Sequence, residues 1–246
     1  MNAELSSLST KVAREEEKDV GLDGCCAEWF LSQAEKAQPL SYDFEHQRIV
    51  LWSTPHHMRQ TSYGAYLRVW PSAPALAKFL VDRFASLSSF QQQRIQPMLE
   101  LGAGVGFCSI AVSLVTGCSI IATDGDLKVF SYLQQNCQQT HDLVRAQLVR
   151  WGDDNDIKEL KKYAKDGFHY IFGADVVYQR EAIPLLVSTI HRCLVGQNGV
   201  VVLAFSRIFE SFEQQLLENM EKYAFQLKDR QLRDAVFIFS WEKRVE

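Results

Sequence analysis

The chain has 246 residues, of which 47% are apolar and 23% are charged. This length is long for one domain and short for two, and the composition is typical of a globular protein with a sizeable core, which excludes a wholly disordered chain. Lys and Arg number 26 against 30 Asp and Glu, giving a formal charge of -4, so we predict no nucleic-acid partner.

The first segment, residues 1–23, mixes Ser, Glu and Lys and contains no apolar stretch of the kind found in signal peptides or membrane anchors. It is predicted to be a flexible tail. Later apolar runs such as Val200–Phe205 have the length of strands, well short of the roughly 18 residues that span a membrane. The six cysteines show no zinc-like spacing, which favours reduced thiols. We therefore predict a cytoplasmic protein, with the nucleus as a second location, and no membrane partner.

Residues 24–90 are predicted to form an extension of helices and a hairpin ahead of the main domain. Apolar side chains could line one face of a short helix at residues 25–36. Two β-type runs, 42–45 and 48–52, flank a polar pair and predict a β-hairpin. Residues 71–87 carry apolar side chains at helical spacing, with proline tolerated in the first turn, and predict a helix.

Residues 91–246 alternate between strand-like and helix-like segments, which is typical of a parallel sheet covered by helices on both faces. Strands are predicted at Met98–Leu101, Ser119–Thr123, Tyr170–Ala174 and Val200–Phe205, and helices at Cys108–Val115, Leu127–Gln138, Ile157–Lys165, Glu181–Leu194 and Phe209–Tyr223.

The last two predicted strands, Phe225–Asp229 and Ala235–Glu242, are joined by a polar link at Arg230–Asp234 that is too short for a βαβ crossover. They should therefore pair antiparallel. The fold class predicted for residues 91–246 is α/β: a Rossmann-like, seven-stranded sheet, mostly parallel with its last strand antiparallel, with helices on both faces and an N-terminal hairpin extension.

A glycine-rich turn follows the first predicted strand of this domain, with Gly102, Gly104 and Gly106 at alternate positions. Glycines let such a turn close tightly and let a ligand approach the backbone at a helix N-terminus. A dinucleotide fingerprint would need its third glycine at position 107, which is Phe107. No Lys followed by Ser or Thr completes a phosphate-binding loop either. A purely structural turn remains the alternative.

The second predicted strand leads into Asp124, about twenty positions after Gly102, which is the offset expected of a carboxylate that binds ribose hydroxyls. The strand ends would then hold opposite ends of one nucleoside-like ligand. The alternative is that Asp124 and Asp126 cap the following helix. We favour ribose binding for Asp124 and capping for Asp126.

Together, the glycine loop, this acidic residue and the alternating order resemble class I, seven-β-strand S-adenosylmethionine methyltransferases. Three further motifs, Val69–Ala73, Trp151-Gly152 and Gly173–Tyr178, narrow the resemblance to methyltransferase family 16. Its members are lysine methyltransferases with an Asp-x-x-Tyr signature. The five spaced motifs occur in the family order.

The resemblance implies that S-adenosylmethionine is the cofactor and S-adenosylhomocysteine the product. Asp124 would accept the ribose hydroxyls, Trp151 would flank the adenine, and Trp70 would close over the cofactor. The loop would lie under the methionine portion, with Glu100 helping to set its conformation. The implied cofactor-binding residues are Trp70, Glu100, Gly102, Ala103, Gly104, Gly106, Asp124, Trp151 and Ala174.

Asp175 and Tyr178 are the catalytic candidates, because residues just past the carboxyl end of a central strand lie where open α/β sheets bind ligands. A carboxylate there can accept an N–H from a lysine amine, and an aromatic ring suits a cation. The alternative is that Asp175 caps a helix and Tyr178 packs in its first turn.

The predicted activity is methyl transfer to a lysine of another protein by a monomeric enzyme without a metal. Methylation of a small amine or of another protein side chain, and a cofactor-binding interaction module with little turnover, remain alternatives. The adjacent His56 and His57 lack the further ligands that a metal site requires. Cys108 is predicted to pack in a helix rather than to act as a nucleophile.

Overall fold

A computed structural model describes residues 37–54 and 67–244 of the chain. The predicted tail at 1–23, the helix at 25–36 and the pair His56-His57 lie outside these residues. The strands are β1 Gln38–Phe44, β2 Gln47–Ser53, β3 Met98–Leu101, β4 Ile120–Asp124, β5 Val144–Leu148, β6 Tyr170–Ala174, β7 Val200–Phe205, β8 Phe225–Arg233 and β9 Val236–Lys243. The α-helices are α1 Ser72–Ala85, α2 Ser89–Arg94, α3 Phe107–Thr116, α4 Leu127–Cys137, α5 Asp154–Leu160, α6 Ala182–Cys193 and α7 Glu210–Lys222.

Seven strands form one sheet in the order β5-β4-β3-β6-β7-β9-β8, while β1 and β2 form a separate antiparallel hairpin. The first five strands of the sheet are parallel, and β9 runs against both of its neighbours. The predicted α/β fold, with its mostly parallel sheet, antiparallel last strand and hairpin, is confirmed. None of the described helices is long and apolar enough to cross a membrane.

The sheet separates two apolar cores because consecutive strand residues face opposite sides. In β7, for example, Val202 belongs to the cluster on one side and Val201 to the cluster on the other. The first cluster joins the sheet to the hairpin, α1, α3 and α4. The second joins it to α5, α6 and α7. Burial on both faces explains why the central strands are continuous apolar runs.

One side-chain amide connects the hairpin to the helices that cover the main sheet. It bonds the backbone of β2 in the way that a neighbouring strand would. Asn136 of α4 is buried; its Oδ1 accepts a hydrogen bond from the Trp52 amide at 2.8 Å, and its Nδ2 donates to the Trp52 carbonyl at 3.3 Å. The same Nδ2 donates to the Val105 carbonyl at 2.9 Å. One amide therefore connects the β2 edge to the start of α3.

Asn136→Ala should lower the free energy of unfolding by about 2 to 3 kcal/mol, because the partly buried backbone groups of Trp52 and the buried carbonyl of Val105 lose their partner. Urea unfolding measures this loss. Gln139→Ala is the matched control: Gln139 makes a similar pair of bonds to the Val50 backbone at an exposed position. We expect it to cost under about 1 kcal/mol; equal losses for the two variants would contradict the role assigned to Asn136.

The structure corrects two predicted segments and adds two elements that were not predicted. The helix predicted at Ile157–Lys165 begins at Asp154 and ends at Leu160, because the Asp153 carboxylate caps its first turn. Residues 230–233 of the predicted polar link belong to β8, and only Asp234 and Ala235 form the turn, both at positive φ. Strand β5 and helix α2 were not delimited from the sequence.

Candidate active site

A cavity of about 820 Å³ opens at the carboxyl ends of the central parallel strands. This volume lies within the range of small-molecule sites, and the position is where open α/β sheets bind ligands. The cavity brings together ten of the eleven predicted site residues: Trp70, Glu100, Gly102, Ala103, Gly104, Asp124, Trp151, Ala174, Asp175 and Tyr178.

The glycine loop is held against the neighbouring strand by its own backbone. Ala103 donates its amide hydrogen to the Thr123 carbonyl at 2.7 Å. Gly102 and Gly104 have φ of 67° and 56°, in the left-handed region that side chains disfavour. A Cβ on Gly102 would also lie 2.9 Å from Val176 Cγ1 and 3.3 Å from Trp151 Cζ2. Position 102 therefore needs glycine both for its turn and for the close approach of the Val176 and Trp151 side chains.

Gly106 is the predicted site residue that does not line the cavity. It is the N-cap of α3, with φ of 87°, and a Cβ there would lie 2.6 Å from Leu133 Cδ1. Its glycine character is therefore explained by the start of the helix and by packing against α4. The structure gives it no cavity contact.

Glu100 lies beneath the loop with its side chain buried, and it also borders the cavity. Its Oε2 accepts a hydrogen bond from the Ser109 amide at 3.0 Å and another from the Ser109 hydroxyl. Burial raises the pKa of the Glu100 carboxyl to about 7; the charge of Asp124 adds to this shift, and the bonds from Ser109 oppose it. Glu100 thus ties the end of β3 to the first turns of α3.

The raised pKa of Glu100 makes folding stability depend on pH. Between a pH of about 4.5 and about 7, folded Glu100 retains a proton that the unfolded chain has released, so the free energy of unfolding falls as pH rises through this window. The contribution lost is about 3 kcal/mol. Urea unfolding of the parent and Glu100→Gln across this range should show a shallower decline for the variant. Parallel curves would contradict this assignment.

Asp124 and Asp126, at the end of β4, make different contacts. Asp124 Oδ2 accepts the Gly104 amide hydrogen at 3.0 Å, and its Oδ1 accepts that of Asp126 at 3.0 Å. Burial raises the pKa of Asp124, and these backbone bonds oppose the shift. Asp126 instead caps α4 by accepting from Lys128 and Val129, which confirms the capping prediction. Only part of the Asp124 acceptor capacity is used.

Asp175 follows β6 in an unusual backbone conformation. Its φ is 52°, and its amide donates to the Ala204 carbonyl at 2.8 Å. Helix α6 begins later, at Ala182, and has Glu181 as its N-cap. The helix-cap alternative for Asp175 is therefore wrong. Tyr178 lies before that helix at the cavity wall, with 56% of its surface exposed.

Two serines that the sequence analysis left without a role hold the Asp175 side chain. Ser72 Oγ donates to Asp175 Oδ2 at 2.5 Å, and Ser206 Oγ donates to the same oxygen at 2.8 Å. The Ser206 amide donates to Oδ1 at 2.8 Å. Ser206 could have been suspected because it directly follows β7, the neighbour of β6 in the sheet. Ser72 lies within a motif whose tryptophan alone had been assigned.

Cys108 packs in α3 with its side chain buried. Burial raises the pKa of its thiol well above the usual value, and the nearby Glu100 charge adds to the shift. A thiol in this environment stays protonated and is a poor nucleophile. The predicted packing role of Cys108 is supported.

The seven-stranded sheet, with the glycine loop and the Asp124 carboxylate at adjacent strand ends, has the Rossmann-like fold of solved methyltransferases. The chain belongs to the lysine methyltransferase family, whose sequence model matches residues 56–223, more than half of the chain. The resemblance inferred from the motifs is confirmed at this level.

Two relatives illustrate the match. Protein N-lysine methyltransferase METTL21A of Danio rerio is 28% identical over 168 residues, covering 66% of this chain and 71% of that protein. EEF1A lysine methyltransferase 3 of Xenopus tropicalis is 30% identical over 142 residues, covering 56% of this chain and 58% of that protein. A solved putative methyltransferase complexed with SAH shares the fold at a TM-score of 0.56 and 10% identity, over 83% of this chain and 56% of that one.

Proposed function

We propose that this protein transfers a methyl group from S-adenosylmethionine to a lysine side chain of another protein. The observation that carries the proposal is one cavity that contains the glycine loop and Asp124 together with the fixed carboxylate of Asp175. Membership of the lysine methyltransferase family supports lysine as the acceptor. The printed names of the two relatives support a protein as its owner.

The cavity suits the chemistry of a sulfonium nucleoside. Asp124 keeps acceptor capacity for vicinal ribose hydroxyls, because each of its oxygens receives one backbone hydrogen bond and can accept another. The rings of Trp70 and Trp151 offer flat surfaces for adenine and for a cationic centre. The small side chain of Ala174 leaves room beside the Asp175 carboxylate. These residues would hold the cofactor.

Bound S-adenosylmethionine supplies an electrophilic methyl carbon attached to a positively charged sulfur. Displacement at such a carbon needs alignment of nucleophile and leaving group more than acid catalysis. The task of the protein is therefore to orient the acceptor amine and exclude water. Asp175 would orient the amine through an accepted N–H bond, and Tyr178 would form a wall of the channel.

Protonation is the main obstacle for a lysine acceptor. With an ordinary pKa of about 10.4, its amine is neutral only about once in 10³ at neutral pH. Removal from water in a narrow channel lowers that pKa, whereas a nearby carboxylate raises it. We propose that Asp175 chiefly orients the amine and that the proton leaves through water. For Asp175 to orient the amine in this way, its carboxylate must have a fixed position.

We place the reaction in the cytoplasm or nucleus and propose that the enzyme acts as a monomer. The four cysteines in the described part of the chain, Cys108, Cys118, Cys137 and Cys193, are free thiols, which supports a reducing compartment.

The proposal is tested by incubating the purified chain with methyl-labelled S-adenosylmethionine and a cell extract. We expect label in a protein band that yields methylated lysine on hydrolysis. Label in the small-molecule fraction, or in another amino acid, would transfer the assignment to a different amine acceptor. Binding of S-adenosylhomocysteine without any label transfer would instead favour an interaction module.

A further inference from the structure

We propose that Ser72 and Ser206 are positioning residues that fix the Asp175 carboxylate toward the acceptor amine. This inference deepens the proposed function and rests on it. We call the arrangement of Ser72 and Ser206 around Asp175 the serine clamp. It assigns a task to two side chains outside the Asp-x-x-Tyr motif.

The clamp supplies three donated hydrogen bonds to one carboxylate. Oδ2 receives the hydroxyls of Ser72 and Ser206 at 2.5 and 2.8 Å, and Oδ1 receives the Ser206 amide at 2.8 Å. A carboxylate can accept about four hydrogen bonds, and those to a charged group are the stronger ones. Oδ2 is therefore saturated. The capacity left for an incoming amine lies on Oδ1.

The three partners come from separate elements. Ser72 is fully buried in the first turn of α1, two residues after Trp70. Ser206 directly follows β7, and Asp175 directly follows β6, where its left-handed backbone is held by the bond to Ala204. The carboxylate is thus tied to the sheet and to the helix that follows the Trp70 segment. Rotation of its χ angles would break at least one of these bonds.

A carboxylate held in this way acts as a fixed acceptor. In a reaction governed by alignment, a displacement of about 1 Å can cost about a hundredfold in rate. The clamp limits such displacement without touching the cofactor-binding loop. Loss of the clamp should therefore lower turnover and leave cofactor affinity nearly unchanged.

The test compares Ser72→Ala, Ser206→Ala, the double variant and Ser206→Thr with the parent in the extract assay. Each single alanine variant should lower kcat about threefold to tenfold, because the other hydroxyl still serves Oδ2. The double variant should lose about a hundredfold. Ser206→Thr keeps the hydroxyl and should retain most of the activity. The exposed Ser131, which donates to its own helix at Lys128, supplies the control Ser131→Ala.

Binding and folding are measured beside the rates. Calorimetry with S-adenosylhomocysteine should give affinities within about twofold of the parent for the clamp variants. Thermal unfolding should show them folded at the assay temperature. Parental kcat in the double variant would overturn the inference. It would also be overturned if the rate loss matched a loss of cofactor affinity, or if Ser206→Thr were as slow as Ser206→Ala.

Amide hydrogen exchange tests the clamp without any acceptor. Removing the carboxylate in Asp175→Ala frees the Ser206 amide, whose exchange should accelerate by about tenfold or more. An unchanged Ser206 exchange rate would overturn the inference. If the parent labels no protein in the extract, the proposed function fails, while the exchange rate still decides whether Ser206 holds Asp175.

Discussion

Asp175→Ala is expected to reduce methyl transfer by about a hundredfold to a thousandfold. The variant removes the only carboxylate that we assign to the acceptor amine, and it leaves the Ser72 and Ser206 hydroxyls without their common partner. Cofactor affinity should stay within about threefold, because the glycine loop and Asp124 are unchanged. Rates of label transfer and calorimetry with S-adenosylhomocysteine measure the two effects separately.

Two further variants make this result specific. Asp175→Asn preserves size but presents one amide N–H toward serine groups that donate, so we expect it to be nearly as slow as the alanine variant. Asp166→Ala removes an exposed carboxylate outside the cavity and should keep the parental rate. Methyl transfer by Asp175→Ala at the parental rate would refute the role of Asp175 in the acceptor site.

Asp124→Asn is expected to weaken S-adenosylhomocysteine binding by about a hundredfold. Both oxygens of Asp124 accept backbone amides, from Gly104 and Asp126. An asparagine can offer only one oxygen, so its NH₂ group would face one of these donors. The side chain would also lose the charge that strengthens bonds from ribose hydroxyls. Calorimetry measures the loss, and turnover at saturating cofactor should recover in part.

Asp153→Asn is the matched control for this change. Asp153 also accepts two backbone amides, at the start of α5, but it does not line the cavity. Asparagine is as good a helix cap as aspartate, so this variant should bind S-adenosylhomocysteine like the parent. Equal affinity of Asp124→Asn and Asp153→Asn for the ligand would remove Asp124 from the cofactor site.

The central strands could be predicted closely because burial on both faces leaves a continuous apolar run. The bounds of β3, β6 and β7 agree with the prediction. The bounds of the edge strands β5 and β8 were harder to predict from the sequence. In β5, Arg145 and Gln147 interrupt the apolar pattern, and in β8 most side chains are exposed. Such strands are held by backbone pairing with one neighbour, which a single sequence does not display.

The cavity could be predicted to the extent that its residues follow strand ends in regular order. Asp124, Ala174 and Asp175 end or directly follow parallel strands, so a parallel sheet brings them to one edge. Gly106 was included with the glycine loop, but it begins α3 and does not line the cavity, although its neighbours Val105 and Phe107 do. Glycine spacing does not separate a turn that faces a ligand from a turn that starts a helix.

The sequence by itself determined the α/β fold, the glycine loop with Asp124 beside it, and the family, because these features depend on local patterns and short spacings. Only the tertiary structure decided how the Asp175 carboxylate is held. Ser72, Asp175 and Ser206 are far apart in the chain, and they meet because β6 and β7 are neighbours in the sheet and α1 packs on its face. Hydrogen bonds between side chains so distant in sequence leave no periodic pattern, so only the folded chain shows them.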